Sequence, residues 1–345
     1  MNTTAVFDGH NDALSRLWRG GPKAIEGFRR GGDGHIDLER AAKGGFVGGF
    51  FALFVSGETR FDMGLLRHPP YNVPLPPAVS RTCARAVVDA QIDIMHELVA
   101  RGDLLLCRTA GEIEAAIDDQ RIAALMHLEG CEAIGPELEG LDELFEAGVR
   151  SLGPVWSRPT IFAHGVPFRF PSDGDVGSGL TEAGRRLVDG AAARGMIVDT
   201  SHLNMAGFYE IAERGLPMVA THSNAHAVSP HSRNVTDAQL RVIGETGGVV
   251  GLNFATAMLR PDGSMQPKGA FEWMLRHLDH MMALAGEDHV ALGSDFDGAI
   301  MPAEIGSVAG LGALQEAMHR AGYGSHLIGK ICHGNWLAAI RRIVG

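Results

Sequence analysis

The sequence is poor in cysteine. Cys83, Cys107, Cys131 and Cys332 are its only four in 345 residues, and they are widely spaced. No CxxC pair occurs, which excludes the usual structural-zinc and dithiol motifs. Buried, unpaired thiols are the expected state of all four, in a reducing cytoplasm. No apolar run is long enough to span a bilayer, so no transmembrane helix is expected. The first residues lack the basic and apolar regions of an export signal, and the last lack a hydrophobic anchor tail, so neither is expected. Positive charge is also short. Lys plus Arg is 30 against 41 Asp plus Glu, a net charge of −11. That balance argues against nucleic acid or an anionic membrane as the main partner. No repeat, low-complexity tract or linker divides the chain, so residues 1–345 are expected to form a single domain.

Glycine and histidine are abundant, at 46 and 16 residues. Glycine points to tight turns, and histidine to metal or acid–base chemistry. Short apolar runs alternate with longer segments of helical spacing. Strands are expected at Ala5–Gly9, Phe46–Val55, Ile122–Leu128, Ser151–Val155, Met196–Asp199, Met218–Ala220, Val249–Leu252 and Val290–Gly293. Val79–Ala100 is the clearest helix, with Val87, Ala90, Ile94 and Leu98 on one face. Thr181–Arg194, Met205–Arg214, Thr236–Thr246, Phe271–Ala285 and a closing Gly329–Val344 are others. The strands read as continuous apolar runs, as parallel strands buried on both faces do. Eight such units predict an α/β fold, a (β/α)8 TIM-type barrel with enlarged loops on its C-terminal face. The enlarged loops are Ser56–Pro77, with five of the 16 prolines, and Ser157–Gly179. They are candidates for a homodimer contact that walls the pocket, or for a monomeric lid.

The informative polar residues follow the apolar runs, where a barrel builds its active site. His10 and Asp12 come after the first. Alternate residues of extended chain share a side, so both can reach one divalent ion. Glu129 ends the run Ile122–Leu128. A glutamate there has lost hydration and needs a cation, hydrogen bonds or a proton. Its two oxygens can bridge two metals. His127 lies deeper and is expected in the core or behind a ligand. His202 and His222 close two similar endings, Val198-Asp199-Thr200-Ser201-His202 and Val219-Ala220-Thr221-His222. With Glu129 they complete a second ligand set, and each ion keeps room for water. Asp199 and Thr221 are candidates to support their neighbours. Asp295, in Gly293-Ser294-Asp295-Phe296-Asp297-Gly298, can carry a proton to a leaving amine. Asp297 competes for that role, but Gly298 marks a turn under way, which favours Asp295. Arg233 can clamp a substrate carboxylate with two parallel hydrogen bonds. His226 and His231 are expected to face solvent or staple its loop. Each motif alone also has a plain structural reading: a capping Asp, a salt-bridged Glu, a surface Arg.

Taken together and in order, Asp8-Gly9-His10-Asn11-Asp12, Leu128-Glu129-Gly130, Ser201-His202, Thr221-His222-Ser223, Ser232-Arg233-Asn234 and Gly293 to Gly298 resemble the membrane (renal) dipeptidase family. This is the peptidase M19 branch of the amidohydrolase superfamily. The similarity runs from about residue 5 to about residue 343. It implies a (β/α)8 barrel holding two zinc ions, one on His10 and Asp12, the other on His202 and His222, with Glu129 bridging. It implies that Asp295 contacts the first zinc and shuttles the proton, and that Arg233 holds the C-terminal carboxylate of a dipeptide substrate. The family tolerates a D-residue at that end. One position departs from the renal form, which has a histidine in a Leu-Thr-His motif 27 residues after the bridging Glu. Here that position is Trp156. The family's histidine helps stabilise the tetrahedral intermediate, whereas an indole offers only an N–H donor. His164, on the following loop, is the candidate to reach back. Trp156 and His164 are thus candidate substrate contacts beside Arg233. Without signal or tail, the chain resembles the shorter bacterial-type cytoplasmic relatives.

The expected reaction is dipeptide hydrolysis by a hydroxide shared between two zincs. Arg233 also suits other small carboxylated amides. A binuclear deacylase or amidase acting on N-acyl amino acids is therefore the second enzyme reading. A metal-bound binding protein is the third, against which the intact Asp295 argues.

Overall fold

The computed structural model describes residues 3–29, 31–57 and 61–345. Residues 58–60 of the first long loop lie outside them. In chain order the strands are β1 (Val6–Asn11), β2 (Phe46–Phe54), β3 (Tyr71–Asn72), β4 (Leu105–Leu106), β5 (Ala123–Glu129), β6 (Val149–Gly153), β7 (Arg169–Phe170), β8 (Ile197–Val198), β9 (Val219–Ala220), β10 (Val249–Leu252) and β11 (Val290–Leu292). The helices are α1 (Ala13–Gly27), α2 (Leu38–Gly44), α3 (Arg81–Ala100), α4 (Ala110–Asp118), α5 (Leu141–Ala147), α6 (Glu182–Ala193), α7 (Met205–Ala212), α8 (Asp237–Glu245), α9 (Ala270–Ala285), α10 (Leu311–Arg320), α11 (Ser325–Gly329) and α12 (Asn335–Ile343).

Every apolar run expected to be a strand forms one. One parallel sheet runs β1-β2-β5-β6-β8, with β4 also paired to β5, and a second runs β11-β10-β9. Isolated parallel bridges, Asp199 to Val219 and Asn11 to Phe296, join the two sheets at both ends. The result is an α/β fold in which a parallel sheet curls around a core. Its strands are apolar throughout because both faces are buried, the inner one against other strands and the outer one against helices.

Inside, Phe7, Phe50, Leu125, Ile197, Val219, Val249 and Ala291 form one buried cluster with Trp336 of α12. The Trp336 indole donates to the carbonyl of Leu292 at 2.8 Å. The expected closing helix is thus present, broken into α11, a π-helical turn at Lys330–Gly334, and α12. Its indole packs within the inner cluster, its ring centroid 5.0 Å from that of Phe50.

The two long loops meet each other. Tyr71 and Asn72 of β3 pair antiparallel with Phe170 and Arg169 of β7. Val73 N–H adds a bond to Phe168 O at 3.0 Å. One expectation is corrected: Cys107, Cys131 and Cys332 are buried, but Cys83 is exposed, because it lies on the solvent side of the first turn of α3. No helix among the described residues is long and apolar enough to cross a membrane.

Candidate metal centre

Where each buried run stops, the chain turns and a polar side chain faces the mouth of the curled sheet. β1 delivers His10 and leads to Asp12, and β5 ends at Glu129. His202, His222 and Asp295 follow β8, β9 and β11. These six side chains, separated in sequence, converge. His10 Nε2 lies 3.5 Å from Asp12 Oδ2 and 3.6 Å from Glu129 Oε2. The other oxygen, Glu129 Oε1, lies 3.0 Å from His202 Nε2 and 3.6 Å from His222 Nε2. Those two nitrogens are 3.0 Å apart. Glu129 therefore turns one oxygen to each half of the cluster. Ligand atoms of His10, Asp12 and Asp295 lie within 4.8 Å of one another, as do those of His10, Glu129 and His222.

The residues fit a bound cation. Both ring nitrogens of His10 are buried without a hydrogen-bond partner, an arrangement rare unless something else meets them. A Cβ at Gly298 would stand 2.2 Å from Asp12 Oδ2 and 2.3 Å from Asp295 Oδ1. Only glycine leaves those carboxylates in place. An all-imidazole and carboxylate donor set suits zinc or a similar divalent ion.

Electrostatics point the same way. Burial lowers the basicity of His10, but Glu129, Asp12 and Asp295 outweigh it and push the imidazole up to about 10. Burial holds His202 and His222 well below the usual histidine range, with Arg233 and His10 adding to it. Burial raises Glu129 well above the usual carboxylate range, against the pull of His10. It raises Asp295 to about 6. A cluster that keeps a proton on His10 can exchange it for a cation.

Above the cluster opens a cavity of about 100 Å³, to which Asp12, Glu129, His202, Asp295 and Arg233 contribute polar groups. Its wall is aromatic. Trp156 packs against Phe54, Phe61 and Phe168 with centroids 5.2, 6.0 and 5.7 Å away. Arg233 is buried, and burial pulls its guanidinium down to about 10 against Asp295 and Glu129. It stays cationic near neutrality. Nη2 donates to His222 O at 3.3 Å, while Nε and Nη1 have no partner. His231 holds the loop by accepting Arg233 N–H at its Nδ1, 3.0 Å away. His226 Nε2 staples the loop to Ser172 O at 3.1 Å. His164 does not line the cavity, and its ring lies against Gly177 instead. His127 is in the core, with Nδ1 2.9 Å from Ser151 Oγ.

Asp297, the rival of Asp295, is fully engaged. Oδ2 accepts from Arg16 Nε at 2.9 Å and Oδ1 from His35 N–H at 2.6 Å, while Asp297 N–H donates to His35 Nδ1 at 2.8 Å. Asp295 and Asp297 both have left-handed φ, +63° and +68°. The clamp holds that strained turn. Sequence reading missed Arg16 and His35. It also missed Asp8, whose oxygens accept from Ser294 N–H and Oγ at 2.7 Å each. The buried pair Arg158 to Glu132, 2.7 Å, behind Trp156 was missed as well. The aromatic wall alone had a sequence signal, the phenylalanines of the long loops.

Imidazoles and carboxylates that share a buried point beneath an open cavity suit a metal-dependent enzyme. The family model for membrane dipeptidase, peptidase family M19, matches residues 1–344. A metallo peptidase from Rhodobacter sphaeroides, solved with a phosphinate mimic of the dipeptide L-Ala-D-Ala, superposes with a TM-score of 0.97 at 48% identity, over 99% of this chain and 100% of that one. A solved structure described as dipeptidase AC, a metallo peptidase of family M19, gives 0.96 at 48% identity, with 100% of both chains covered. A Klebsiella pneumoniae protein from the pqqA 5′ region is 42% identical over 256 residues, 73% of this chain and 94% of that protein. The chain belongs to the membrane dipeptidase family, peptidase family M19, and is a metallo-dipeptidase.

Proposed function

We propose that residues 1–345 form one closed (β/α)8 barrel that hydrolyses small dipeptides with two zinc ions, D-residues being accepted at the C-terminal position. Bridges at both seams between the two sheets support closure. Four unpaired cysteines fit a reducing cytoplasm. The observation that carries the reading is Glu129, with one oxygen toward His10 and the other toward His202 and His222. On this reading His10, Asp12 and Asp295 hold one zinc, His202 and His222 the other, and Glu129 bridges. The ions, when bound, polarise the scissile carbonyl and lower the pKa of coordinated water.

The chain's own groups do the rest. Nε and Nη1 of Arg233 have no partner in the protein, which leaves the guanidinium free to bind the substrate's terminal carboxylate. That contact measures length, because a longer peptide would put backbone where the carboxylate belongs. Asp295 accepts the proton of the attacking water and returns it to the departing amine. The wall of Trp156, Phe54, Phe61 and Phe168 keeps bulk water from the cleft. The bound L-Ala-D-Ala mimic in the Rhodobacter relative supports acceptance of a C-terminal D-residue.

A panel of L,L and L,D dipeptides and N-acyl amino acids, offered to zinc-loaded enzyme, tests the assignment. Dipeptides, L,D among them, are expected to give the higher kcat/KM. The reverse order would assign a deacylase.

A further inference from the structure

The groups behind the candidate metal centre touch no substrate, yet they form a directed chain. Asp199 is buried just past β8, and Thr221 just past β9. The carbonyl of Thr221 is hemmed in by Gly9, Gly251 and Gly293, where a Cβ would come within 2.5, 2.1 and 1.9 Å of its oxygen. Thr221 is thus fixed in place. Asp199 Oδ1 accepts from Ser201 N–H at 3.0 Å, Ser201 Oγ at 2.7 Å and Thr221 N–H at 2.8 Å. Oδ2 accepts from Thr221 Oγ1 at 2.7 Å. Thr221 Oγ1 lies 2.8 Å from His222 Nδ1.

The proton count gives the direction of the last bond. A carboxylate has no proton to give, and a hydroxyl has one. The proton of Thr221 goes to Asp199, so only lone pairs of Oγ1 remain for His222. The bond between them must be donated by Nδ1–H. We infer that Asp199, acting through Thr221, locks His222 in the Nδ1–H tautomer and so keeps its Nε2 lone pair turned toward Glu129 and the metal site. Asp199 and Thr221 are positioning residues. The inference rests on the reading of His222 as a metal ligand.

Three substitutions separate this role from mere packing. In Asp199→Asn the amide oxygen has to stay at the Oδ1 position, because two backbone N–H groups point there. Its NH2 then faces Thr221 Oγ1 and turns the Thr221 proton toward His222 Nδ1. The hydrogen of His222 is then pushed toward Nε2, and a metal binding there has to displace it. Thr221→Val removes the hydroxyl, and with it both the donor to Asp199 and the acceptor for His222, whereas Thr221→Ser keeps both. The full-length chains are loaded with two equivalents of zinc and titrated with a chelator. Retained zinc is read by mass spectrometry, and folding by circular dichroism of the zinc-free chains.

In Thr221→Val one of the two ions should be held about 10–100-fold more weakly. Asp199→Asn should lose more, and Thr221→Ser should match the wild type. If Thr221→Val does not fold, Asp199→Asn and Thr221→Ser decide the matter. Wild-type retention by Asp199→Asn overturns the inference. So does a Thr221→Ser loss as large as that of Thr221→Val. His222→Ala is the control on the site itself. If it keeps both ions, the metal-centre reading fails along with the inference. If it loses one while Asp199→Asn keeps both, only the tautomer lock fails.

Discussion

Burial lifts Asp295 to about 6 in the metal-free chain, toward the range a proton carrier needs. Asp295→Asn keeps the shape and removes the base. A fall in kcat of about 10²–10⁴-fold is expected, with most of the metal retained by mass spectrometry. Arg233→Leu should raise KM for free dipeptides by roughly 30-fold or more, because a charged bond in a buried pocket is lost. C-terminally amidated dipeptides, which lack the carboxylate, should show no such change. The ligand candidates were legible in the sequence because a polar side chain just past a buried strand has few reasons to be there. The clamp on Asp297 was not. Its partners Arg16 and His35 are 281 and 262 residues away, and only the tertiary fold brings them near.

The turn between Gly293 and Gly298 is the element that sets one half of the site. Arg16 and His35 hold Asp297, Asn253 Nδ2 donates to Asp295 Oδ2 at 3.1 Å, and Gly298 leaves the space that Asp12 and Asp295 fill. Gly298→Ala should displace both carboxylates while leaving the fold intact. The variant is expected to retain one zinc fewer than the wild type, measured after dialysis by mass spectrometry. At this scale the long apolar runs were readable, and so was α3, because each repeats its pattern over many residues. The pairs β3, β4 and β7 were not. Two residues carry no periodicity, and their pairing is imposed by the partner. Proline content marked the two long loops, but their pairing through Tyr71 and Phe170 depends on the tertiary path.

Across the whole molecule the acidic balance was plain in the sequence, yet it does not describe the site, whose charges are buried and local. The linkage is worked out from His10. Its folded pKa, about 10, stands above the ordinary 6.5. The stability it contributes is fully present below about 6.5 and is lost as pH rises through 10. The zinc-free chain should therefore melt at lower temperature as pH rises across that window, as circular dichroism would record. Zinc binding runs the opposite way. With His10 as a ligand the ion has to displace its proton, so zinc affinity should rise at least about tenfold per pH unit between pH 6 and 8, by chelator competition. A pH-independent affinity would mean that His10 is not a ligand.

On the proposed mechanism, catalysis requires a pair of metal ions gathered around Glu129. The direct test strips the enzyme with a chelator, returns zinc stepwise, and follows hydrolysis of an L,D dipeptide against zinc bound per chain. The stripped chain should cleave nothing, and full activity should return only as the second ion binds. Undiminished cleavage by the stripped chain, or none with two zincs bound, would contradict that mechanism.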